Sequence, residues 1–88
     1  MGIDFILGER KYIQFEINSS INQRVVITSA TWKLLKGDDV IDDGECEITD
    51  GNTLDVLLYP VERGSFTLVI EYAIPPEIRK TRCSVNVY

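Results

Sequence analysis

The side chains with chemical potential in this sequence are few, and the densest group of them is acidic. Asp38, Asp39, Asp42, Asp43, Glu45, Glu47 and Asp50 put half of the chain's 14 carboxylates into one stretch that holds no Lys or Arg. Calcium takes about six to eight oxygen ligands, often from one loop with acids at alternate positions. Asp39 and Asp43-Gly44 suit the first and fifth positions of such a loop, but Ile41 stands at the third. The calcium pattern therefore fails. The favoured reading is a solvated strand face and turn whose charges discourage edge-to-edge pairing.

Other chemistry is sparser still. The chain has no histidine, so it lacks the usual general base near neutral pH and every Ser-His or Cys-His nucleophile pair. The commonest zinc and copper ligand is missing too, and two cysteines on separate strands cannot close a four-ligand site. Gly37, Gly44, Gly51 and Gly64 are isolated turn glycines, not a phosphate-binding loop. Cys46 and Cys83 each sit in an alternating stretch, with Gly44 and Ile48 in one case and Val85 and Val87 in the other. Both read as inward-facing small hydrophobes, with a disulfide between them as the less favoured alternative. Neither enzyme activity nor a cofactor is expected.

Trp32 invites a sharper reading, as a platform on which a sugar ring could stack. It shares its face with Ala30 and Leu34, however, and a mid-strand tryptophan in a sandwich is more often the centre of the core. The four tyrosines look scattered over several strands.

Those side chains must be positioned by strands, because alternation of period two runs through the chain and no helical stripe appears. The expected segments are 3–7, 11–17, 24–36, 40–48 (a strand pair or one bent strand), 53–59, 66–74 and 81–88. Turn signals recur at Gly8, Asn18 to Asn22, Gly37-Asp38-Asp39, Thr49 to Asn52, Pro60 and Gly64. Val25-Val26-Ile27 fits the phase of Ala30-Trp32-Leu34 poorly, which predicts a bulge or kink near Thr28-Ser29. Pro75-Pro76 is expected to forbid a tight hairpin, since neither residue can donate to a ladder. Residues 75–80 then form a loop carrying Ile78, which either serves as a contact residue or, as is commoner, tucks back to plug the end of the core. Seven strands at this spacing predict an all-β, immunoglobulin-like sandwich filling residues 1–88 as a single domain. The predicted core is Phe15, Trp32, Leu34, Leu54, Val56, Phe66, Leu68, Ile70, Val85 and Val87.

The net charge of −5 and pI near 4.5 disfavour nucleic acid, which requires cations to displace counterions, and anionic membrane surfaces. No apolar run reaches transmembrane length, and the start of the chain reads into a strand, not a signal peptide. Protein partners remain. If the strands of Trp32, Leu68 and Val85 share a sheet, its outer face shows Leu35, Val69, Ala73 and Tyr88, where polar residues are the rule. With Ile78 on its loop, these are the candidate contact residues for a homo-oligomer or a neighbouring chain.

Phe5-Ile6-Leu7-Gly8-Glu9-Arg10-Lys11-Tyr12-Ile13-Gln14-Phe15-Glu16-Ile17 resembles the opening of small immunoglobulin-like domains of phage tails, of the baseplate upper protein N-terminal type. Val26-Ile27-Thr28 before Ala30-Thr31-Trp32 is similar to their next strand, and Gly64 leading into Phe66, Leu68 and Tyr72 to their penultimate one. Leu7 stands where that pattern has a basic residue, and Glu9 where it has Asp. The resemblance implies a structural virion or prophage component without catalytic residues, made in the bacterial cytoplasm and held by neighbouring virion proteins. The alternative is a surface-exposed adhesion or carbohydrate-binding module, since sandwich loops bind ligands readily.

Overall fold

A computed structural model describes residues 2–17 and 26–88. Among these residues there are eight strands: β1 (Gly2–Phe5), β2 (Lys11–Glu16), β3 (Ser29–Lys36), β4 (Asp39–Glu45), β5 (Glu47–Thr49), β6 (Thr53–Leu58), β7 (Gly64–Ile74) and β8 (Glu77–Val87). They form a five-stranded sheet in the order β1-β8-β7-β3-β4 and a three-stranded sheet in the order β2-β6-β5. This is an all-β sandwich with the strand arrangement of an immunoglobulin-like domain. Among the described residues no helix is long and apolar enough to cross a membrane.

Alternation decides what is buried. Ala30, Trp32 and Leu34 of β3, Phe66, Leu68, Ile70 and Tyr72 of β7, and Cys83, Val85 and Val87 of β8 point between the sheets. Leu54, Val56 and Leu58 of β6 meet them from the other side, and Phe5 closes one end. Nine of the ten predicted core residues are buried. Phe15 is only half-buried, because β2 is the edge of the smaller sheet and has a neighbour on one side alone.

The acidic segment accounts for the eighth strand. The chain leaves β4 at Glu45 and enters the other sheet at Glu47, with the Cys46 N–H donating to the Ala30 carbonyl at 3.0 Å at the crossover. Opposite Trp32, β4 presents Gly44, and the indole lies directly over its Cα. Gly37 and Asp38 make the two-residue β3–β4 turn. Gly37 has φ 62°, a value glycine reaches without steric cost, and glycine first is a turn that matches strand twist.

Two expectations need correction, and a third falls outside the described residues. The bulge lies between Leu34 and Leu35, not near Thr28-Ser29: Leu34 pairs with Asp42 and Leu35 with Val40, so Ile41 is the extra residue. The expected turn at Asn18 to Asn22, with Arg24 and Val25, lies outside the described residues. Finally, Pro75-Pro76 does form a tight hairpin. Ile74 pairs with Glu77, the two prolines are the whole turn, and the bond between them is cis. The two central residues of such a turn make no ladder bonds, so the missing N–H groups cost nothing there. Residues 77–80 therefore belong to β8, not to a loop.

At the other end of the five-stranded sheet β1 runs parallel to β8, Gly2 beside Ser84 and Phe5 beside Val87. The ladder continues past the strand ends. The Tyr88 N–H donates to the Phe5 carbonyl at 2.9 Å, and the Leu7 N–H donates to the Tyr88 carbonyl at 3.0 Å.

Candidate functional site

The described residues bring the predicted contact positions together only in part. Lys33 of β3 pairs with Val69 of β7, and Val69 with Arg82 of β8. Leu35 pairs with Thr67, one diagonal step from Val69, and Ala73 pairs with Ile78. Leu35, Val69, Ala73 and Ile78 therefore share the outer face of the five-stranded sheet. Ile78 neither rides a loop nor folds back over the core; it projects from β8 and is 68% exposed. Tyr88 does not join them. It lies four residues beyond Ser84, beside β1 at the far end of the sheet.

The sequence reading missed the rest of this face, because it depends on which strands are neighbours. Val40 of β4 is the cross-strand partner of Leu35 and is 49% exposed. Asp43 faces Lys33, and Glu45 faces Thr31. Glu71 faces Lys80. Thr31, Lys33, Leu35, Val40, Val69, Glu71, Lys80 and Arg82 line a shallow groove of about 230 Å³. Three ion pairs occur among the described residues, Lys11–Glu9, Lys36–Glu62 and Arg79–Glu77. None involves Asp43, Glu45, Glu71, Lys33, Lys80 or Arg82. The face thus carries three acids and three bases, summing to zero, around a half-buried apolar centre, on a chain whose net charge is −5.

The acidic run is dispersed by the same geometry. Asp43 and Glu45 face outward, Asp42 sits on the opposite face across from Leu34, and Glu47 belongs to the other sheet. Among the described residues no group of three or more His, Cys, Asp or Glu side chains could hold a metal ion.

Cys46 and Cys83 are buried free thiols. Two strands, β7 and β3, separate β8 from the bend at Cys46. At about 4.8 Å per strand the cysteines stand on the order of 14 Å apart across the sheet, beyond the roughly 7 Å reach of a disulfide. Burial pushes the Cys46 thiol up to about 11 and also raises Cys83. At neutral pH neither is a nucleophilic thiolate.

Trp32 is 7% exposed and belongs to the core, which removes it as a stacking platform. The tyrosines are less scattered than the sequence suggests. Tyr12 pairs with Leu57 on the outer face of the smaller sheet, and Tyr59 follows two residues beyond Leu57; all three are exposed. Gln14 Nε2 donates to Asp55 Oδ1 at 3.1 Å on the same face.

The strand order and core define the class as a small immunoglobulin-like sandwich. No family model matches the chain, and no curated protein matches it. Among solved structures it is similar to part of an engineered protein, with a TM-score of 0.80 and 10% identity over 99% of this chain and 18% of that one. It is also similar to part of a "putative glycoside hydrolase" from Bacteroides vulgatus, with a TM-score of 0.61 and 16% identity over 98% of this chain and 16% of that one. The chain therefore spans less than a fifth of either protein. At these identities the likeness is one of fold.

Proposed function

We propose that the chain is a non-enzymatic assembly module acting through protein–protein contacts on the outer face of the five-stranded sheet. The observation that carries this reading is the charge-neutral face with Leu35 and Val69 toward its middle and Val40 and Ala73 on the same side, where a solvated sheet face would alternate to polar residues. The absence of histidine supports a role without catalysis. The resemblance of residues 5–17, and of the strands of Trp32 and Phe66, to phage tail domains supports a place in a phage or prophage tail or baseplate. Synthesis would be in the bacterial cytoplasm, with neighbouring virion proteins as partners.

The test places a charge at the middle of the face. Val69→Lys should abolish co-assembly with the products of adjacent genes, while far-UV circular dichroism stays that of the wild type. Equal assembly of wild type and variant would refute the reading.

A second reading, adhesion or carbohydrate binding, draws on exposed Tyr12, Leu57 and Tyr59 beside the Gln14–Asp55 pair. A domain of this fold also occurs within a chain named for glycoside hydrolysis. Calorimetric titration with oligosaccharides separates the two readings, since the assembly module gives no binding heat.

A further inference from the structure

We infer that the partner this face fits is a second copy of the same chain, related by a two-fold axis parallel to the strands. The inference rests on the assembly reading above and names the partner of that same face. Cross-strand pairing sets the outer side chains in rows that run from β4 through β3 and β7 to β8. One row reads Glu45, Thr31, Glu71, Lys80. The next reads Asp43, Lys33, Val69, Arg82. The third reads Val40, Leu35, Thr67, Ser84. The β4 end of the first two rows is acidic and the β8 end is basic.

Packed sheets keep their strand directions within about 30° of each other. For two identical faces that leaves two simple arrangements, with the two-fold across the strands or along them. An axis across the strands lays β4 on β4 and β8 on β8, so Asp43 meets Asp43 and Arg82 meets Arg82, and like charges oppose at both margins. An axis along the strands, between β3 and β7, lays β4 of each copy over β8 of the other. Asp43 then faces Arg82 and Glu45 faces Lys80 on both sides of the axis, as a self-complementary interface requires. Leu35 and Val69 lie toward the middle, where the apolar part of an interface belongs.

The area is adequate. Four strands about 4.8 Å apart and seven residues at about 3.4 Å give a face of roughly 450 Å² in projection, more once side-chain relief is counted. Two such faces bring the total to about 1,000 Å², the lower bound for a specific contact. Because the six charges cancel within the face, the net charge of −5 lies elsewhere on each copy.

The experiment uses two variants, one with Lys80→Glu and Arg82→Glu and the other with Asp43→Lys and Glu45→Lys, all at exposed positions. Circular dichroism verifies that both fold. Sedimentation equilibrium should show wild type dimerising at concentrations below about 1 mM, and each variant alone weakened at least about tenfold. An equimolar mixture should recover the dimer, and native mass spectrometry should find one chain of each kind in it, since both margins are then complementary. A wild type that stays monomeric up to about 1 mM, variants that dimerise as wild type does, or a mixture that stays monomeric each overturn the proposal. If wild type is monomeric while Val69→Lys still abolishes binding to another chain, the second copy is refuted and the assembly face stands. If Val69→Lys affects neither, both fall.

Discussion

Gly44 is the position where one methyl group should be felt most. A Cβ added there would lie 2.9 Å from Trp32 Nε1 and 3.0 Å from Cε2 and Cζ2, against about 3.5–4.0 Å for an ordinary contact. The indole is almost fully buried between the sheets, so it cannot swing into solvent. Either it tilts into the core or β4 moves outward. Overpacking of this kind costs about 1–3 kcal/mol. Replacing a strand glycine by alanine returns about 0.5–1 kcal/mol of chain entropy, leaving a net destabilisation of about 0–2.5 kcal/mol for Gly44→Ala. At about 4–8 °C per kcal/mol in a domain of this size, the melting temperature should fall by up to about 20 °C. Thermal circular dichroism reads the shift, and fluorescence of the single tryptophan reads the displaced ring. A double-mutant cycle isolates the contact, because Trp32→Phe removes the indole atoms that clash. In that background Gly44→Ala should be neutral or mildly stabilising. An equal effect in both backgrounds, or a higher melting temperature for Gly44→Ala alone, would refute the reasoning.

Two further predictions concern groups that the sequence singled out. Burial pushes the Cys46 thiol from its ordinary 9.0 up to about 11 in the fold. Its neutral form is the one the fold favours, so its contribution is complete below about pH 9 and is lost as pH rises through about 11. Urea melts from pH 8 to 11 should show stability falling less steeply in Cys46→Ala than in the wild type; parallel slopes would contradict the burial argument. Millimolar calcium should leave the melting temperature unchanged, since the carboxylates of residues 38–50 are spread over both sheets; a rise of several degrees would reveal a linked site.

How far the fold could be read in advance follows from what each signal depends on. Inward and outward positions depend only on period two, which is why Trp32, Leu68 and Val85 came out buried. Strand neighbours depend on register between distant segments. Asp43, Lys33, Val69 and Arg82 form one row, yet nothing local in the sequence joins them. Tyr88 has the right phase for the outer face but lies six residues past Arg82, the last β8 residue of the groove, and phase alone does not show that. Pro75-Pro76 is illegible for a different reason: a missing N–H forbids a ladder position but not a turn position, and only the register shows that both prolines fall in the turn. The switch of sheets at Cys46 leaves no local mark, because Gly44, Cys46 and Ile48 keep one alternation across it and fit a strand pair and a bent strand equally.

The parallel pairing of β1 with β8 has a mechanical meaning. A pull on the chain through Gly2 draws β1 backward along its own axis, and a pull through Tyr88 draws β8 forward. The two strands lie side by side, so tension loads their ladder in shear. The ladder bonds of Gly2–Phe5 with Ser84–Val87, with those of Phe5 and Leu7 to Tyr88, must then rupture together instead of opening one after another as a zipper would. Set in a row of linked chains under load, a domain built this way resists extension at its first and last strands, before any force reaches the core behind them.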